Sequence, residues 1–408
     1  MSRAARARPI VQMIWTRPID GQAMAGRLRV AIAVRAAVRE VADVREHLLP
    51  PAIGSATAML GIAWAWFCSL FRHPVLPLQC VLYASPGAVR RAIAAIDPEA
   101  TTIYLDGVRT FALLRRLRKV YPDKRIVVDL DDLMSRRVRL LREGRFPLSA
   151  GYLTAALPPT FVRWLTGGVG RMILRYEERT LPGVEAAITH LADAVVLVSS
   201  EDLTEMRGDG PATRVSILPM VTPTGRNPTL EPGPVRFIFA GTDTLTQNRL
   251  TIDYLTDLWA RERPPVELVL IGRRQRTTPL PDGVRALGYI DDIADAYDGR
   301  SVLLTPSLLR GGIKTKVLEA FAHGAPVIGN AITFEAMPIG DYPLVCDGED
   351  ELIAIIRNPE AFRDRFAVAA RFGFDYVQHV HAPDVFARKW RRVLGLEEER
   401  ADVMAQSA

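Results

Sequence analysis

Short runs of aliphatic and β-branched residues recur along the chain, and longer stretches separate them in which apolar residues return every three or four positions. Strand-length runs alternating with helical patterns predict parallel, doubly wound α/β sheets. A first series of strands is expected at 10–15, 80–84, 102–105, 126–130, 195–199 and 215–218. A second is expected at 235–240, 267–271, 302–305 and 326–329. Between them lies VTPTGRNPTLEPGP (221–234), whose proline, glycine and threonine content resists both helix and strand and marks a domain boundary. The expected organisation is a Rossmann-like domain over 1–222, a second over 235–375, and a helical stretch over 376–396 that crosses back to the first. Ligands of open α/β sheets lie beyond the carboxyl ends of the strands, so two such sheets are expected to face a shared cleft.

The stretch AIGSATAMLGIAWAWFCSLF (52–71) interrupts this pattern with twenty residues and no charge. Its length reaches the threshold for a membrane span. Leu60, Trp64, Phe67 and Phe71 recur at helical spacing as one bulky stripe, opposite a small-residue face of Gly61, Ala65 and Ser69. A buried or interfacial helix, a membrane-dipping helix and a true span are the alternatives. A span would split the first α/β domain between its strands, so none is expected.

Composition fits a globular two-domain chain: 408 residues, 49% hydrophobic and 24% charged. Cys68, Cys80 and Cys346 are scattered and odd in number, which argues against a disulfide framework or a zinc site and for a reducing cytoplasm. The net charge of +6 is unevenly spread: residues 1–222 hold 30 Lys and Arg against 20 Asp and Glu, and residues 223–408 hold 22 against 26. A basic first half points to an anionic partner, an anionic membrane surface or a phosphorylated substrate, or to a plain solvated arginine-rich surface. No zinc spacing or RNA-binding signature favours nucleic acid.

The most specific chemistry lies in LLTPSLLRGGIKTKVLEAFAHGAPVIGN (303–330). A strand is expected to end at Thr305, followed by a loop with Gly311-Gly312 and a helix starting near Ile313. Glycines let the backbone approach a ligand closely, and a helix start offers free N–H groups and a positive dipole end, which suits a diphosphate. Lys314 and Lys316 add positive charge there, and one of them would neutralise a leaving diphosphate. Glu319 follows Lys316 one turn on, where a carboxylate can accept both hydroxyl protons of a ribose. The alternative for Lys316 and Glu319 taken alone is a surface ion pair.

These residues resemble the C-terminal domain signature of GT-B glycosyltransferases, in particular glycosyltransferase family 4, the group 1 transferases. The matching pieces are Pro306-Ser307, Gly311-Gly312, Lys316, Glu319-Ala320 and Ala322 to Val327. The resemblance implies two Rossmann-like domains, a nucleotide-diphosphate sugar as donor, Glu319 on the donor ribose and Lys316 on its diphosphate. It extends to RFIFAGTDTLTQNR (236–249), where Gly241 and Thr242 would sit near the donor phosphate with Arg249 as a second cation. It also includes Ala286 to Ile290, the segment with Tyr289 whose backbone would lie along the nucleobase. Many members carry a second glutamate eight residues before the ribose glutamate; here that position is Gly311. The Gly-Gly-x-Lys-x-Lys form looks like bacterial exopolysaccharide transferases, so a lipid-linked glycan acceptor in cell-surface polysaccharide synthesis is expected, on the inner face of the membrane.

The first domain is less legible. Asp20-Gly21-Gln22 follows the first strand, and Gly21 is a candidate for a glycine turn facing the donor phosphates, or a plain turn. RIVVDLDDLMSRR (125–137) sets Asp129, Asp131 and Asp132 at a strand's carboxyl end, where a general base for the acceptor hydroxyl would sit. Alternatively one of them caps the next helix and another pairs with Arg136 or Arg137. Asp106 is a weaker candidate of the same kind. No cofactor and no metal are expected, since Asp129-Leu130-Asp131 lies in the wrong domain for a metal-nucleotide motif. A nucleotide-sugar epimerase of the same architecture and a non-catalytic glycan- or membrane-binding relative are the rival functions.

Overall fold

The computed structural model describes residues 8–19, 26–52, 56–144, 168–206, 215–218, 222, 231–276 and 278–397. The chain forms two compact units, Met1–Leu218 with Ala387–Ala408, and Pro219–Phe386.

The first unit is built on a parallel sheet of six strands: β1 (Ile10–Trp15), β2 (Asp43–Leu48), β3 (Thr102–Asp106), β4 (Arg125–Asp131), β5 (Ala194–Leu197) and β6 (Val215–Ile217), in the order β2-β1-β3-β4-β5-β6. Every residue of β3 is buried, as a central strand covered on both faces requires. The register sets Asp106 of β3 beside Asp129 of β4, so two carboxylates emerge together at the carboxyl edge. The second unit has five parallel strands, β7 (Arg236–Ala240), β8 (Leu268–Ile271), β9 (Val284–Gly288), β10 (Ser301–Leu304) and β11 (Val327–Ile328), in the order β11-β10-β7-β8-β9. Two doubly wound parallel sheets are the architecture that the hydrophobic pattern predicts.

Two local expectations are corrected, and two strands were not foreseen. The run at 80–84 is not a strand: a short helix spans Leu78–Val81, and Cys80 and Val81 donate their N–H groups to Pro77 O. Pro77 starts the turn, and local bonds then satisfy the backbone of an apolar run that a sheet would otherwise pair. β2 escapes the sequence pattern because it is an edge strand, with exposed Asp43, Arg45 and Glu46. β9 escapes it for the same reason, with Arg285, Ala286 and Leu287 exposed. The stretch 376–396 is not one helix: Arg363–Val380 ends at His381, and Pro383–Val393 starts anew. Proline has no N–H to continue the first helix but suits the first turn of the second.

The last residues are bonded into the first unit. Thr102 Oγ1 donates to Leu394 O (3.1 Å), Arg125 Nε to Val393 O (3.0 Å) and Arg391 Nε to Ala37 O (3.0 Å), while Trp390 meets the Tyr104 ring edge-on at 5.8 Å. The charge-free stretch forms the helix Ala56–Ser69. Among the described residues no helix is long and apolar enough to cross a membrane.

Candidate functional site

In the second unit, the loops after β7, β8 and β10 are stitched together by short polar contacts. β7 ends at Ala240, and Gly241-Thr242 turn into the helix Thr246–Glu262. A Cβ on Gly241 would stand 2.6 Å from Asn248 Nδ2, so only glycine allows that amide so close. Asn248 Nδ2 donates to Thr242 O (3.0 Å), and its Oδ1 accepts from Lys316 Nζ (2.8 Å). Thr242 Oγ1 donates to Arg273 O (3.0 Å), which ties in the loop after β8. Asp243, buried in the turn after β7, accepts from Gln275 N and Arg276 N of the loop after β8. Burial works against its ionised form, yet these bonds and the nearby arginines hold its pKa below the usual range.

β10 leads into the glycine loop. Gly311 and Gly312 take φ values of +128° and +55°, a consecutive pair that other residues adopt only with strain. Gly311 N–H donates to Glu335 Oε1, and Arg310 Nη1 lies 3.1 Å from Glu335 Oε2. Lys314 Nζ donates to Gly311 O and to Gly312 O (3.2 Å) and sits 3.8 Å from Glu335. Lys314 therefore clamps the loop that it was expected to serve as a phosphate ligand. Glu335 was not foreseen: it arrives from the helix Ala331–Phe334 and its C-cap, twenty-four residues along the chain from Gly311, and no local pattern announces it.

The helix Thr315–Ala322 follows, anchored by buried Val317, Leu318, Ala320 and Phe321, with no side chain capping its start. Lys316 sits in its first turn, half-buried, its ammonium 3.9 Å from the centroid of the Phe239 ring. Burial pulls its pKa down to about 7; Glu319 opposes this and Lys314 adds to it. Lys316 is thus no surface partner of Glu319 but a poised, partly shielded cation. Beside Glu319 stands Tyr297, buried, stacked on His323 at 5.4 Å, its hydroxyl without a hydrogen-bond partner among the described residues. Burial and the Glu319 charge both push the Tyr297 pKa up, so the phenol keeps its proton to donate. Tyr289 is exposed at the end of β9 with Arg273 over its ring at 5.0 Å. Arg249 is half-buried in the first turn of Thr246–Glu262.

The first unit holds a second cluster at the carboxyl edge of its sheet. Arg27 contacts Asp106 (2.8 Å), Asp129 (2.9 Å) and Asp131 (3.3 Å). Asp106 also accepts from Thr16 Oγ1 (2.8 Å) and Arg17 Nε (3.3 Å), and Asp129 from Tyr104 OH (2.7 Å) and Asp131 N (3.1 Å). Despite its burial, Asp106 is held well below the usual carboxylate range by Arg27 and Arg17. Three carboxylates face two guanidinium groups, so one negative charge is in excess, and Asp131 absorbs it. Burial pushes its pKa up to about 7 against the pull of Arg27, and Asp132 and Asp129 push the same way. Asp131 also adopts φ +64°, a left-handed conformation rare outside glycine, and breaks the β4–β5 register.

The three sequence candidates therefore separate. Asp129 is fully buried in the ion-pair network and positions strand ends; Asp132 lies 3.7 Å from Arg137; Asp131 is partly exposed. None of them caps the helix Met134–Glu143. Its start is held by Glu185, which accepts from Ser135 N (3.0 Å), and Asp202, which accepts from Leu133 N (3.1 Å). Part of the basic charge of the first half is structural: Arg136 is buried against Asp202 and Arg118 bonds Asp193. Gly21 lies outside the described residues. Among the described residues no group of His, Cys, Asp and Glu is arranged to hold a metal ion.

Residues 234–369 match the family model described as Glycosyl transferases group 1. No curated protein sequence matches the chain. Solved structures resemble it over almost its whole length. Sucrose-phosphate synthase from Thermosynechococcus elongatus superposes with a TM-score of 0.63 at 16% identity, over 96% of this chain and 100% of that one. HepE from Anabaena in complex with UDP gives 0.57 at 13% identity, over 95% and 99%. The lipopolysaccharide outer core galactosyltransferase WaaB in its apo form gives 0.58 at 10% identity, over 95% and 99%. At such identities the likeness speaks for the fold, which is that of the GT-B glycosyltransferases, and the family match speaks for the second unit. The chain thus carries a group 1 glycosyltransferase domain over residues 234–369 within a GT-B architecture.

Proposed function

We propose that the protein transfers a sugar from a nucleoside-diphosphate sugar to a hydroxyl of a lipid-linked glycan, in the synthesis of a cell-surface polysaccharide at the cytoplasmic face of the membrane. The observation that carries the donor half is Lys316: a half-buried ammonium with its pKa near 7, beside an uncapped helix start and a double-glycine loop. A diphosphate is the ligand that such a cation and such N–H groups suit best, and its arrival would restore the proton that burial disfavours. HepE has been solved with UDP and with UDP-glucose, which supports a nucleotide sugar as donor here.

In this reading Glu319 accepts the ribose hydroxyl protons and the Tyr297 hydroxyl donates back to the same sugar. Gly241, Thr242 and Arg249 border the phosphates, and Tyr289 borders the base. The bond from the anomeric carbon to the diphosphate oxygen breaks, its electron pair leaves with the diphosphate, and Lys316 meets the charge that develops there. The acceptor oxygen bonds to the anomeric carbon. Asp131, the partly exposed carboxylate with a pKa near neutrality, is assigned to the acceptor hydroxyl and takes its proton. These residues do the work without a metal or cofactor.

Calorimetric titration with uridine and guanosine diphosphates tests the donor half. Micromolar binding of one of them, lost in Lys316→Ala, is expected; binding of neither overturns the reading. Incubation of the matching nucleotide sugar without acceptor separates transfer from epimerisation, because an epimerase would convert the donor unaided.

A further inference from the structure

The first unit carries an apolar face that its own core does not use. On the helix Ala56–Ser69, Ile62 joins the buried cluster, Ala65 packs on it, and a Cβ on Gly61 would lie 3.2 Å from Ser85 Oγ. The opposite side is bare: Leu60 is 71% exposed, Trp64 62%, Phe67 51% and, just past the helix, Phe71 75%. Their rings form a continuous ridge, Trp64 to Phe67 at 6.2 Å and Phe67 to Phe71 at 5.2 Å. Trp66 Nε1 donates to Tyr176 OH (3.0 Å), which joins this helix to Gly168–Leu191, where Met172 is 69% exposed. Monomers rarely expose so many large apolar side chains side by side unless something covers them.

The charge around the ridge identifies what covers it. The fifty residues from His47 to Ile96 contain no Asp or Glu and three arginines, Arg72, Arg90 and Arg91. The first nine residues of Gly168–Leu191 add exposed Arg171 and Arg175, again with no carboxylate. A second copy related by a two-fold axis would set arginines against arginines with no acid to pair them. An anionic surface complements the same rim. The helix has fourteen residues, about 21 Å at 1.5 Å each, too short for a hydrocarbon core of about 30 Å but suited to lying along its boundary. Aromatic rings flanked by arginine are what such a boundary favours.

We propose that this face docks the protein on an anionic lipid bilayer, with Leu60, Trp64, Phe67 and Phe71 entering the headgroup–acyl boundary and Arg72, Arg171 and Arg175 meeting lipid phosphates. The inference deepens the membrane-borne acceptor proposed above and rests on it for its purpose, while its evidence lies in the first unit alone. Vesicle flotation tests it, with phosphatidylglycerol–phosphatidylcholine vesicles against pure phosphatidylcholine. The wild-type chain is expected to float with the anionic vesicles, and added salt to weaken it. Leu60→Gln with Phe67→Gln and Phe71→Gln lowers vesicle affinity about tenfold or more, while Arg171→Gln with Arg175→Gln removes the preference for anionic lipid. Both variants keep wild-type affinity for the nucleoside diphosphate, a readout that reports the second unit separately, and an unchanged cooperative denaturation transition shows that the first unit still folds. Absence of flotation by the wild type overturns the proposal, as does a stable dimer in sedimentation that the apolar variant dissociates.

Discussion

Lys316 and Asn248 meet at 2.8 Å, and through that bond the glycine loop after β10 is joined to the turn after β7. Asn248 in turn holds Thr242 O, so one buried amide aligns the two strand ends that border the proposed diphosphate site. Asn248→Ala should leave the fold intact and weaken nucleoside-diphosphate binding about tenfold, by loosening the Lys316 rotamer. Lys316→Ala should weaken it more and lower the transfer rate as well. Parallel calorimetry and rate measurements on both variants check this order.

The lowered pKa of Lys316 gives binding a pH signature. Its pKa near 7 in the free chain means that the ammonium is mostly charged below pH 7 and mostly neutral above it. A bound diphosphate favours the charged form, so binding takes up a proton near neutral pH and affinity falls as pH rises above about 7. Calorimetry in buffers of different ionisation enthalpy should detect the uptake. Lys316→Arg, which stays charged, should remove both the uptake and the slope.

Glu319 and Tyr297 are expected to read the ribose. Glu319→Ala should cost about 1–3 kcal/mol of affinity for a ribonucleoside diphosphate and much less for its 2′-deoxy analogue. Tyr297→Phe should move affinity in the same direction by a smaller amount. Equal losses for both nucleotides would assign these side chains to the architecture of the loop.

Asp129 and Asp131 should respond oppositely to the same change. Asp129→Asn removes a carboxylate from a network in which Arg27 is buried, and should destabilise the first unit by about 3–5 kcal/mol. Asp131→Asn relieves an excess negative charge, so denaturation should show unchanged or higher stability. Its transfer rate should fall about 10²–10⁴-fold with donor affinity intact.

The buried carboxylates of the first unit predict how its stability depends on pH. Burial pushes Glu185 up to about 7, and Asp202 to about 6, although both accept backbone hydrogen bonds at the start of Met134–Glu143. Their folded pKa values exceed the unfolded ones, so the folded state binds the extra protons. Stability is therefore greatest below about pH 3.8 as far as these groups are concerned, and declines as pH rises through the window from about 3.8 to 7. Glu185 alone contributes about 3 kcal/mol to that decline. Denaturant titrations at pH 5 and 8 check it, and Glu185→Gln, which keeps the acceptor oxygen, should shrink the difference.

Much of this was legible in the sequence because the central strands are short, buried and apolar, and because the glycine–lysine–glutamate spacing is compressed into one loop and helix. The helical run at 80–84 reads as a strand, and β2 and β9 escape the pattern, where local turns or edge exposure override the two-residue alternation. Glu335, Asn248 and Tyr297 reach the site from elsewhere in the chain, and only packing reveals them. The separation of Asp129 from Asp131 was equally hidden: adjacent carboxylates look alike until burial and the Arg27 contacts distinguish them.

The most direct test of the account is a structure of the chain solved with the nucleoside diphosphate that it binds. The account predicts phosphate oxygens within hydrogen-bond distance of Lys316 Nζ and of backbone N–H groups at the start of Thr315–Ala322, with the ribose on Glu319. A nucleotide bound away from that loop, with Lys316 still turned to Asn248, would contradict it.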